Sequence, residues 1–184
     1  MNFYILQQDP RVPEQPSVLS CPEDIDPEEW ISGKHMTVPR SPLHLEMSPR
    51  AGKFRGDIIG GVLTLFHDVL RDELMRLGID NIQYFPVELE NPEGQIETKY
   101  SLVNVIGMLD AVDKSSSVIE PRATGGRGWL RSFKIDAAAA RGKRLFRVVD
   151  APTLIIIDEA LDSSLADFNL AGAWTLPTEE YEGY

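Results

Sequence analysis

The sequence is poor in the residues that most often carry chemistry, with one cysteine and three histidines among 184 residues. A single thiol excludes an intrachain disulfide framework and fits a reducing compartment. Cys21 lies beside Glu23 and Asp24, and neighbouring negative charge disfavours the thiolate that a nucleophile needs. The histidines show no His-x-x-x-His pair, a common spacing of metal ligands. We therefore expect no catalytic residue, no metal and no cofactor.

Long apolar runs are missing as well. No stretch approaches the roughly 18 apolar residues that a bilayer span requires. The apolar start at residues 1–6 is short and lacks the basic lead of a signal peptide. These features predict a soluble, cytoplasmic protein without a membrane partner. At 42% hydrophobic residues the chain can still bury a core, and its length fits one domain, residues 1–184.

Positive charge is scarce, because 18 lysines and arginines face 29 aspartates and glutamates, which gives a formal charge of −11. Phosphate binding needs a net basic face, so we expect no nucleic acid partner. The charge is also uneven: residues 150–184 hold eight acids and no lysine or arginine, whereas residues 114–147 hold nine basic residues. An acidic surface suits a basic protein partner, and it equally suits a solvated surface that keeps the protein soluble.

What the sequence does contain is an internal repeat, in which residues 63–88 match residues 154–179 at a constant offset of 91. The apolar positions coincide in the following pairs: Leu70 with Leu161, Leu74 with Leu165, and Pro86 with Pro177. Each copy has the pattern of an apolar strand, a helix with one apolar face, and a second strand. The sequence therefore predicts two repeated strand–helix–strand units, near residues 62–89 and 153–180. Two unrelated units that converged on one motif are the alternative.

The boundaries of both helices are marked by single residues. Asp68 and Asp158 are the predicted N-caps, since a carboxylate accepts hydrogen bonds from the free amides of a first helical turn. Gly78 and Asn169 are predicted to end the helices, because both residue types adopt positive φ at low cost. The strand before the first helix is expected at residues 62–66, which are apolar and partly β-branched.

Proline sets apart residues 10–50, which hold eight of the thirteen prolines in the chain. Each proline fixes φ and removes a hydrogen-bond donor, so we expect an extended arm that wraps the core of residues 51–184. One helical turn is predicted at residues 26–31, with a proline at its first position. Four apolar residues are expected to anchor the arm: Trp30, Val38, Leu43 and Leu45.

The remaining segments are mostly extended. Strands are predicted at residues 3–6, 82–89, 95–109 and 144–149, a reversal at 91–94, a loop at 114–128, and a short helix at 136–141 capped by Asp136. The glycine-rich residues 124–128 lack the Gly-Lys-Ser/Thr ending of a phosphate-binding loop. Strands outnumber helices, so the sequence predicts an α+β fold with a mixed, mainly antiparallel sheet and few short helices.

Six residues are candidates for partner binding: Asp110, Asp113, Glu179, Glu180, Tyr181 and Tyr184. The acids form two close pairs that would attract a basic partner, and the tyrosines lie in a short acidic tail. Such carboxylates would also allow acid–base catalysis if a deep pocket held two of them together. Because nothing in the sequence indicates a cleft, turn capping and surface roles are favoured over catalysis.

Several stretches together match the pattern of a known family. They are residues 4–6 with 9–11, Leu70-x-x-x-Leu74, residues 78–87, residues 100–105 with Asp110 and Asp113, residues 145–147, and residues 155–159 with Gly172. By these stretches the chain resembles the bacterial immunity proteins numbered eleven among the polymorphic-toxin immunity families, formerly a domain of unknown function. Residues 174–177 follow the ending of that pattern only loosely.

The resemblance implies a protein without catalytic residues that binds a cognate bacterial toxin and neutralises it. Such a protein blocks the active site of the toxin or locks the toxin out of its working conformation. If the toxin is basic, the acidic chain would attract it over a long range. The alternative is a non-catalytic regulatory or scaffold module that forms homo-oligomers through an exposed strand edge.

Overall fold

A computed structural model describes residues 1–13, 15–19, 21–22, 25–38, 41–50, 56–120 and 128–183 of the chain. Its helices are α1 (Pro27–Trp30), α2 (Asp68–Arg76) and α3 (Glu159–Phe168), and a turn of 3-10 helix covers Thr178–Glu180. Its strands are β1 (Phe3–Gln8), β2 (Leu43–Glu46), β3 (Ile58–Ile59), β4 (Leu65–His67), β5 (Ile82–Glu90), β6 (Ile96–Val105), β7 (Met108–Leu109), β8 (Ile119–Glu120), β9 (Trp129–Leu130), β10 (Leu145–Val148), β11 (Ala151–Asp158) and β12 (Ala173–Pro177).

The strands form two five-stranded sheets and one small hairpin. Sheet 1 has the order β2-β5-β6-β4-β3, and sheet 2 has the order β12-β1-β11-β10-β7. The hairpin pairs β8 with β9. Within the two sheets, β2 runs parallel to β5 and β7 runs parallel to β10, whereas the other neighbours are antiparallel. The predicted α+β class, with mainly antiparallel sheets and few short helices, is confirmed.

The predicted repeat exists as two structural units. Unit 1 contains β4, α2 and β5, and unit 2 contains β11, α3 and β12. A shift of 91 residues places the first residue of α2, Asp68, on the first residue of α3, Glu159. In each unit a third strand lies between the two strands and pairs antiparallel with both, so the outer two are parallel. This middle strand is β6 in unit 1 and β1 in unit 2.

The middle strands have the same register in the two units. Leu102 of β6 lies opposite Leu65 and Phe85. Ile5 of β1 lies opposite the two residues that follow Leu65 and Phe85 by 91 positions. The middle position is therefore filled in unit 1 by β6, which directly follows β5 in the chain. In unit 2 it is filled by β1, which comes from the beginning of the chain.

The equivalence extends to the strand before each unit. β3 pairs with β4 in the register in which β10 pairs with β11. The amide of His67 donates to the carbonyl of Asp57, and the amide of Asp158 donates to the carbonyl of Arg144, both at 2.9 Å. Each bond fixes the residue at which a strand passes into a helix. The two units thus share one design of four strands and a helix.

The N-terminal ends of the helices follow side-chain chemistry, with one correction. Asp158 caps α3 as predicted, because its Oδ1 accepts from the amide of Leu161 at 2.7 Å. The predicted cap of α2, Asp68, is wrong by one residue. His67 is the cap, and its Nδ1 accepts from the amide of Val69 at 3.2 Å. Imidazole nitrogen therefore does in unit 1 what carboxylate oxygen does in unit 2.

The C-terminal ends agree with the sequence, and one predicted helix does not form. Gly78 and Asn169 adopt φ of +80° and +57°, as predicted for residues that end helices. The helix predicted at residues 136–141 is a run of turns. Asp136 does accept from a main-chain amide at 2.8 Å, as a cap would. Gly142, with φ of +77°, then turns the chain before a second helical turn can form.

Strand bounds also differ from expectation at three places. The strand predicted at residues 95–109 is broken at Gly107, whose φ of +109° separates β6 from β7. The strand predicted at residues 62–66 begins only at Leu65. The loop predicted at residues 114–128 contains β8, which pairs with β9. Residues 124–127 of the glycine-rich stretch lie outside the described residues.

A shared core joins the two units. It is formed by both helices and the inner faces of both sheets, including Leu6, Phe66, Leu70, Leu74, Val103, Ile157, Leu161 and Leu165. Leu70 and Leu161, which are equivalent positions, are both 0% exposed. A polar bond reinforces this contact, since Nδ2 of Asn81 in unit 1 donates to the carbonyl of Leu145 in β10 at 2.9 Å. The same Nδ2 donates to the carbonyl of Ile106, just past β6, also at 2.9 Å.

The outer face of sheet 1 is covered by the proline-rich segment. Trp30 is fully buried there, and its Nε1 donates to the carbonyl of Val103 at 2.9 Å. Leu43 and Leu45 are buried in the same cluster, and Val38 packs against it half-buried. The four expected anchors thus contact the core, and the division into an arm of residues 10–50 and a core of residues 51–184 stays a prediction.

The outer face of sheet 2 is covered by a different part of the chain, residues 110–120, 128–141 and 178–183, which we call the outer layer. Phe133 is its central residue, 0% exposed, and packs among the apolar side chains of β1, β10 and β11. Tyr181 stacks edge-on against Phe133, with ring centroids 5.8 Å apart. The two sheets are therefore buried on both faces by unrelated segments.

Among the described residues, the most deeply buried charged side chain is that of Arg147. Arg147 of β10 is 0% exposed, and its Nη1 donates to the carbonyl of Pro152 at 2.7 Å. Among the described residues, its Nε and Nη2 have no hydrogen-bond partner. Burial lowers the pKa of Arg147 to about 10, because a guanidinium loses hydration inside the protein. The charge therefore opposes folding at neutral pH.

Replacing this charge is expected to stabilise the protein. Arg147→Met keeps most of the side-chain volume and removes the desolvated cation, so we expect the free energy of unfolding to rise by about 1–2 kcal/mol at pH 7. The folded pKa lies below the unfolded one, so above about pH 10 the unfolded state binds more protons than the folded state does. The advantage of the variant should therefore shrink above pH 10. Urea unfolding at pH 7 and pH 10.5 measures both effects, and a destabilised variant at pH 7 would contradict the argument.

Candidate functional site

The outer layer brings together most of the residues that the sequence marked for partner binding. The amide of Asp113 donates to the carbonyl of Lys134 at 2.9 Å, and the amide of Phe133 donates to the carbonyl of Thr178 at 3.0 Å. The segment around Phe133 therefore links the aspartates on one side with the C-terminal glutamates on the other. Nζ of Lys134 lies 3.3 Å from Oε1 of Glu179 and makes the same link through charge.

Asp113 is held in a turn. Its Oδ1 accepts from the hydroxyl of Ser115 at 2.6 Å and from the amide of Ser115 at 3.0 Å. These bonds, together with those from Ser116, keep the pKa of Asp113 below its usual value. A carboxylate stabilised in its ionised form is a poor general acid, so Asp113 shapes the loop and contributes a fixed negative charge.

Asp110 lies beside this turn with its side chain 70% exposed. Nζ of Lys114 is 3.7 Å from Oδ1 of Asp110 and 3.9 Å from Oδ1 of Asp150. Exposed ion pairs of this length contribute little stability. Asp110, Asp113 and Asp136 line a groove of about 660 Å³. It is wide and open to solvent, unlike the deep pocket that the catalytic alternative requires.

The C-terminal candidates divide into exposed and buried residues. Glu179 and Glu180 are exposed on the 3-10 turn that follows β12. Tyr181, also predicted as a contact residue, is only 9% exposed because its ring packs against Phe133. Its ring therefore supports the outer layer from beneath, and it does not form the surface. Tyr184, the last candidate, lies outside the described residues.

An apolar patch in the outer layer was largely missed by sequence reasoning. Val118, Ile119 and Trp129, on the β8–β9 hairpin and the residue before it, are 54%, 38% and 56% exposed. Trp129 is not among the six residues predicted from the sequence for partner binding. The hairpin was hidden because its two strands are short and are separated by a polar stretch. Exposed aromatic and branched side chains beside fixed charges are typical of a protein-binding surface.

A second groove, which no motif indicated, lies where the two units meet. It has a volume of about 410 Å³ and is lined by β1, the segment after β3, and the first half of β11. Oε1 of Gln8 accepts from the amide of Gly60 at 3.0 Å at its edge, and Nε2 of Gln8 donates to the carbonyl of Pro16 at 3.0 Å. The adjacent glycines Gly60 and Gly61 were the sequence signal that could have located it.

Groups of metal ligands and helices able to span a membrane are both absent from the described part of the chain. No group of three or more histidines, cysteines and acids there is arranged to hold a metal ion. None of the helices described above has the length and apolarity that crossing a bilayer requires.

Comparison with known proteins matches the family expected from the sequence. The family model described as the immunity protein family Imm11 matches residues 4–179 of the chain. The match includes both units, the proline-rich segment and most of the outer layer. No curated protein matches the chain. The resemblance noted in the sequence is confirmed, and the chain belongs to the Imm11 immunity protein family.

Proposed function

We propose that this chain binds a cognate toxin of a bacterial polymorphic-toxin system in the cytoplasm and neutralises it without catalysis. The observation that carries the proposal is the Imm11 match over residues 4–179. The two units and their covering segments bury three apolar clusters, and such packing suits a protein that must present a preformed surface. Binding would occlude the active site of the toxin or hold the toxin in an inactive conformation.

We propose the outer layer as the face that contacts the toxin. Asp110, Glu179 and Glu180 are exposed there, and Trp129 offers a large side chain that is 56% exposed. Asp113 adds a fixed charge from a braced loop. Exposed acidic groups and an exposed aromatic residue in one layer favour a basic toxin, since charge guides the encounter while the ring, once buried by the partner, supplies affinity. The formal charge of −11 extends this attraction beyond the contact itself.

The test of the proposed function uses the product of the gene adjacent to the one encoding this chain. Cells that express that product alone should stop growing, and cells that also express this chain should grow. The two purified proteins should form a stoichiometric complex. Self-association of this chain without such a complex would instead favour the scaffold alternative, which relies on exposed strand edges. If this chain neither rescued the cells nor formed the complex, the proposal would be contradicted.

Reversing charge in the outer layer should slow binding of the toxin. The triple variant Asp110→Lys, Glu179→Lys, Glu180→Lys is expected to lower the association rate constant about tenfold at low salt, with a smaller effect on dissociation. Stopped-flow measurement over a range of salt concentrations checks this result, since screening should reduce the difference between variant and wild type.

A control variant carries the same change of charge elsewhere. Glu46, Glu93 and Asp167 are exposed and lie outside the outer layer. Their replacement by lysine changes the net charge equally, so a general field effect would slow binding as much as the triple variant does. Equal rates for the two variants would contradict the outer layer as the contact face and leave the proposed function standing.

A further inference from the structure

The two units remain equivalent for one residue beyond the end of each middle strand and differ from the next residue onward. The amide of Ile106, just past β6, donates to the carbonyl of Asn81 at 2.8 Å. The amide of Asp9, just past β1, donates to the carbonyl of Gly172 at 2.9 Å. Gly172 follows Asn81 by the repeat offset, so the two bonds are equivalent. The chain therefore follows the same path in both units up to this point.

The next residue sends the two chains in different directions. Gly107, with φ of +109°, turns the chain onto the edge of β10, where it forms β7. The equivalent residue is Pro10, whose ring holds φ near about −65° and cannot make that turn. The chain instead leaves the sheet edge, and Arg11 places its guanidinium 4.8 Å from the ring centroid of Trp174.

As a result, no described strand occupies beside β3 the place that β7 occupies beside β10. β7 runs parallel to β10, and the amide of Arg147 donates to the carbonyl of Gly107 at 3.3 Å. Among the described strands, β3 pairs only with β4. Gly60 occupies the position equivalent to Arg147, and its amide is met by the side chain of Gln8 at 3.0 Å. An amide side chain thus stands in for a main-chain carbonyl of a missing strand.

The space left by that strand is the 410 Å³ groove. Gly60 and Gly61 form one wall with bare main chain, and Val62 lies at the opening with 43% of its surface exposed. The floor is apolar, with Leu6 and Ile155 from sheet 2. None of the described residues that line the groove carries a charge. A bare strand edge above an apolar floor fits an extended peptide with uncharged side chains.

We propose that this groove receives an extended segment of the toxin, which pairs in parallel with the edge of β3 as β7 pairs with β10. The inference rests on the proposed function and adds a second contact to the outer layer. The template inside the protein, Met108–Leu109 of β7, indicates a short segment with apolar side chains. A second copy of this chain is a poorer occupant, because two molecules with a formal charge of −11 repel each other.

In the free protein, the side chain of Gln8 satisfies the edge amide of Gly60. Its Oε1 occupies the acceptor position that the main chain of the toxin would take on the amide of Gly60. Its Nε2 bond to the carbonyl of Pro16 steadies the side chain in that place. Satisfying the edge amide in this way protects the free protein from pairing with unrelated strands. Binding then exchanges a side-chain hydrogen bond for a main-chain one.

The test compares two variants that introduce the same charge at equal exposure. Val62 at the groove and Val69 on α2 are both 43% exposed, so Val62→Glu and Val69→Glu should perturb folding little and equally. Binding of the adjacent gene product, inactivated in its own active site, is measured by titration calorimetry. We expect Val62→Glu to raise the dissociation constant at least about tenfold and Val69→Glu to leave it within about twofold. Thermal unfolding of each variant confirms that the fold is kept.

Amide hydrogen exchange of the wild-type complex provides a measurement that needs no variant. The amide of Gly60 should exchange more slowly when the toxin is bound, because a bond within a strand pair replaces its bond to the side chain of Gln8, and the amide of Val69 should not change. Unaltered exchange, or equal binding by the two variants, would overturn the strand pairing while the proposed function stood. If the wild-type chain forms a dimer and Val62→Glu separates it into monomers, the groove belongs to a second copy of the chain. That result would also overturn the pairing with a toxin segment. A wild-type chain that does not bind the toxin would overturn the proposed function itself.

Discussion

Leu161→Ala is expected to lower the free energy of unfolding by about 3–5 kcal/mol, and Leu70→Ala by a similar amount. Both side chains are 0% exposed in the core between the two units. Each truncation removes buried apolar surface and leaves a cavity whose walls belong to both sheets. Because a small domain is stable by only about 5–15 kcal/mol, either loss is a large part of the total. Chemical unfolding followed by circular dichroism measures it.

The control for this prediction is a leucine on the surface. Leu19 is 50% exposed, so Leu19→Ala should change the unfolding free energy by less than about 0.5 kcal/mol. Because the units share one core, each core variant should shift a single cooperative transition. Two separate transitions, or a loss of less than about 1 kcal/mol in either core variant, would show that Leu70 and Leu161 do not occupy equivalent positions in one core.

Trp30→Ala should be comparably severe, with an expected loss of about 3–5 kcal/mol. The indole is 0% exposed and packs edge-on against Phe85, with ring centroids 5.2 Å apart. Its Nε1 also donates to the carbonyl of Val103, so truncation leaves a cavity and an unsatisfied acceptor in the same place. The arm is thus held to sheet 1 by a side chain that belongs to a single helical turn.

Two further variants separate the packing of Trp30 from its hydrogen bond. Trp30→Phe keeps a ring and loses the donor, so it should cost less than Trp30→Ala by about 1–2 kcal/mol. Trp129→Ala removes the same side chain from a site that is 56% exposed, and it should cost less than about 1 kcal/mol. Equal stability of Trp30→Ala and wild type in urea would show that the arm is not bound to the core.

The repeat could be predicted from sequence because it is written in local signals. In each unit the apolar residues of the helix recur every three to four positions, beginning with Leu70 in unit 1 and Leu161 in unit 2. The residues that end the helices, Gly78 and Asn169, follow at the same distance. The offset of 91 also indicates the observed N-cap of α2, because it aligns Asp158, the cap of α3, with His67 and not with Asp68. Aspartate was preferred because carboxylates are the commoner caps. Where a structural unit is repeated, the position of a cap in one copy therefore predicts the cap of the other copy better than the preferred residue type does.

The pairing of the middle strands could not be predicted, because nothing local specifies it. β1 and β6 are ordinary apolar strands in sequence, and β1 joins unit 2 only through contacts with residues near the other end of the chain. Periodicity identifies a strand and its buried face, but it does not name the neighbour. The groove beside β3 was hidden for the same reason, since it depends on which strand is missing from an edge.

The candidate site was predicted in part. Acidic residues at 110 and 179–180 were found through charge, which is visible in sequence, and the fold explains why they belong to one face. The burial of Tyr181 could not be foreseen, because its acidic neighbours suggested an exposed tail, whereas Phe133 offers a buried position to its ring. The burial of Arg147 was equally invisible, because arginine in a strand is usually exposed.

The position of β1 has a consequence for the order in which the protein matures on the ribosome. Unit 1 has all of its strands within one continuous stretch, so it can assemble as soon as that stretch has left the exit tunnel. Unit 2 must wait, because its middle strand is made first and its two flanking strands are made last. Through most of translation, Phe3–Gln8 is a nascent segment without a partner. Newly made chains should therefore stay susceptible to proteases until synthesis has passed β12, because the core that the two units share cannot close before then.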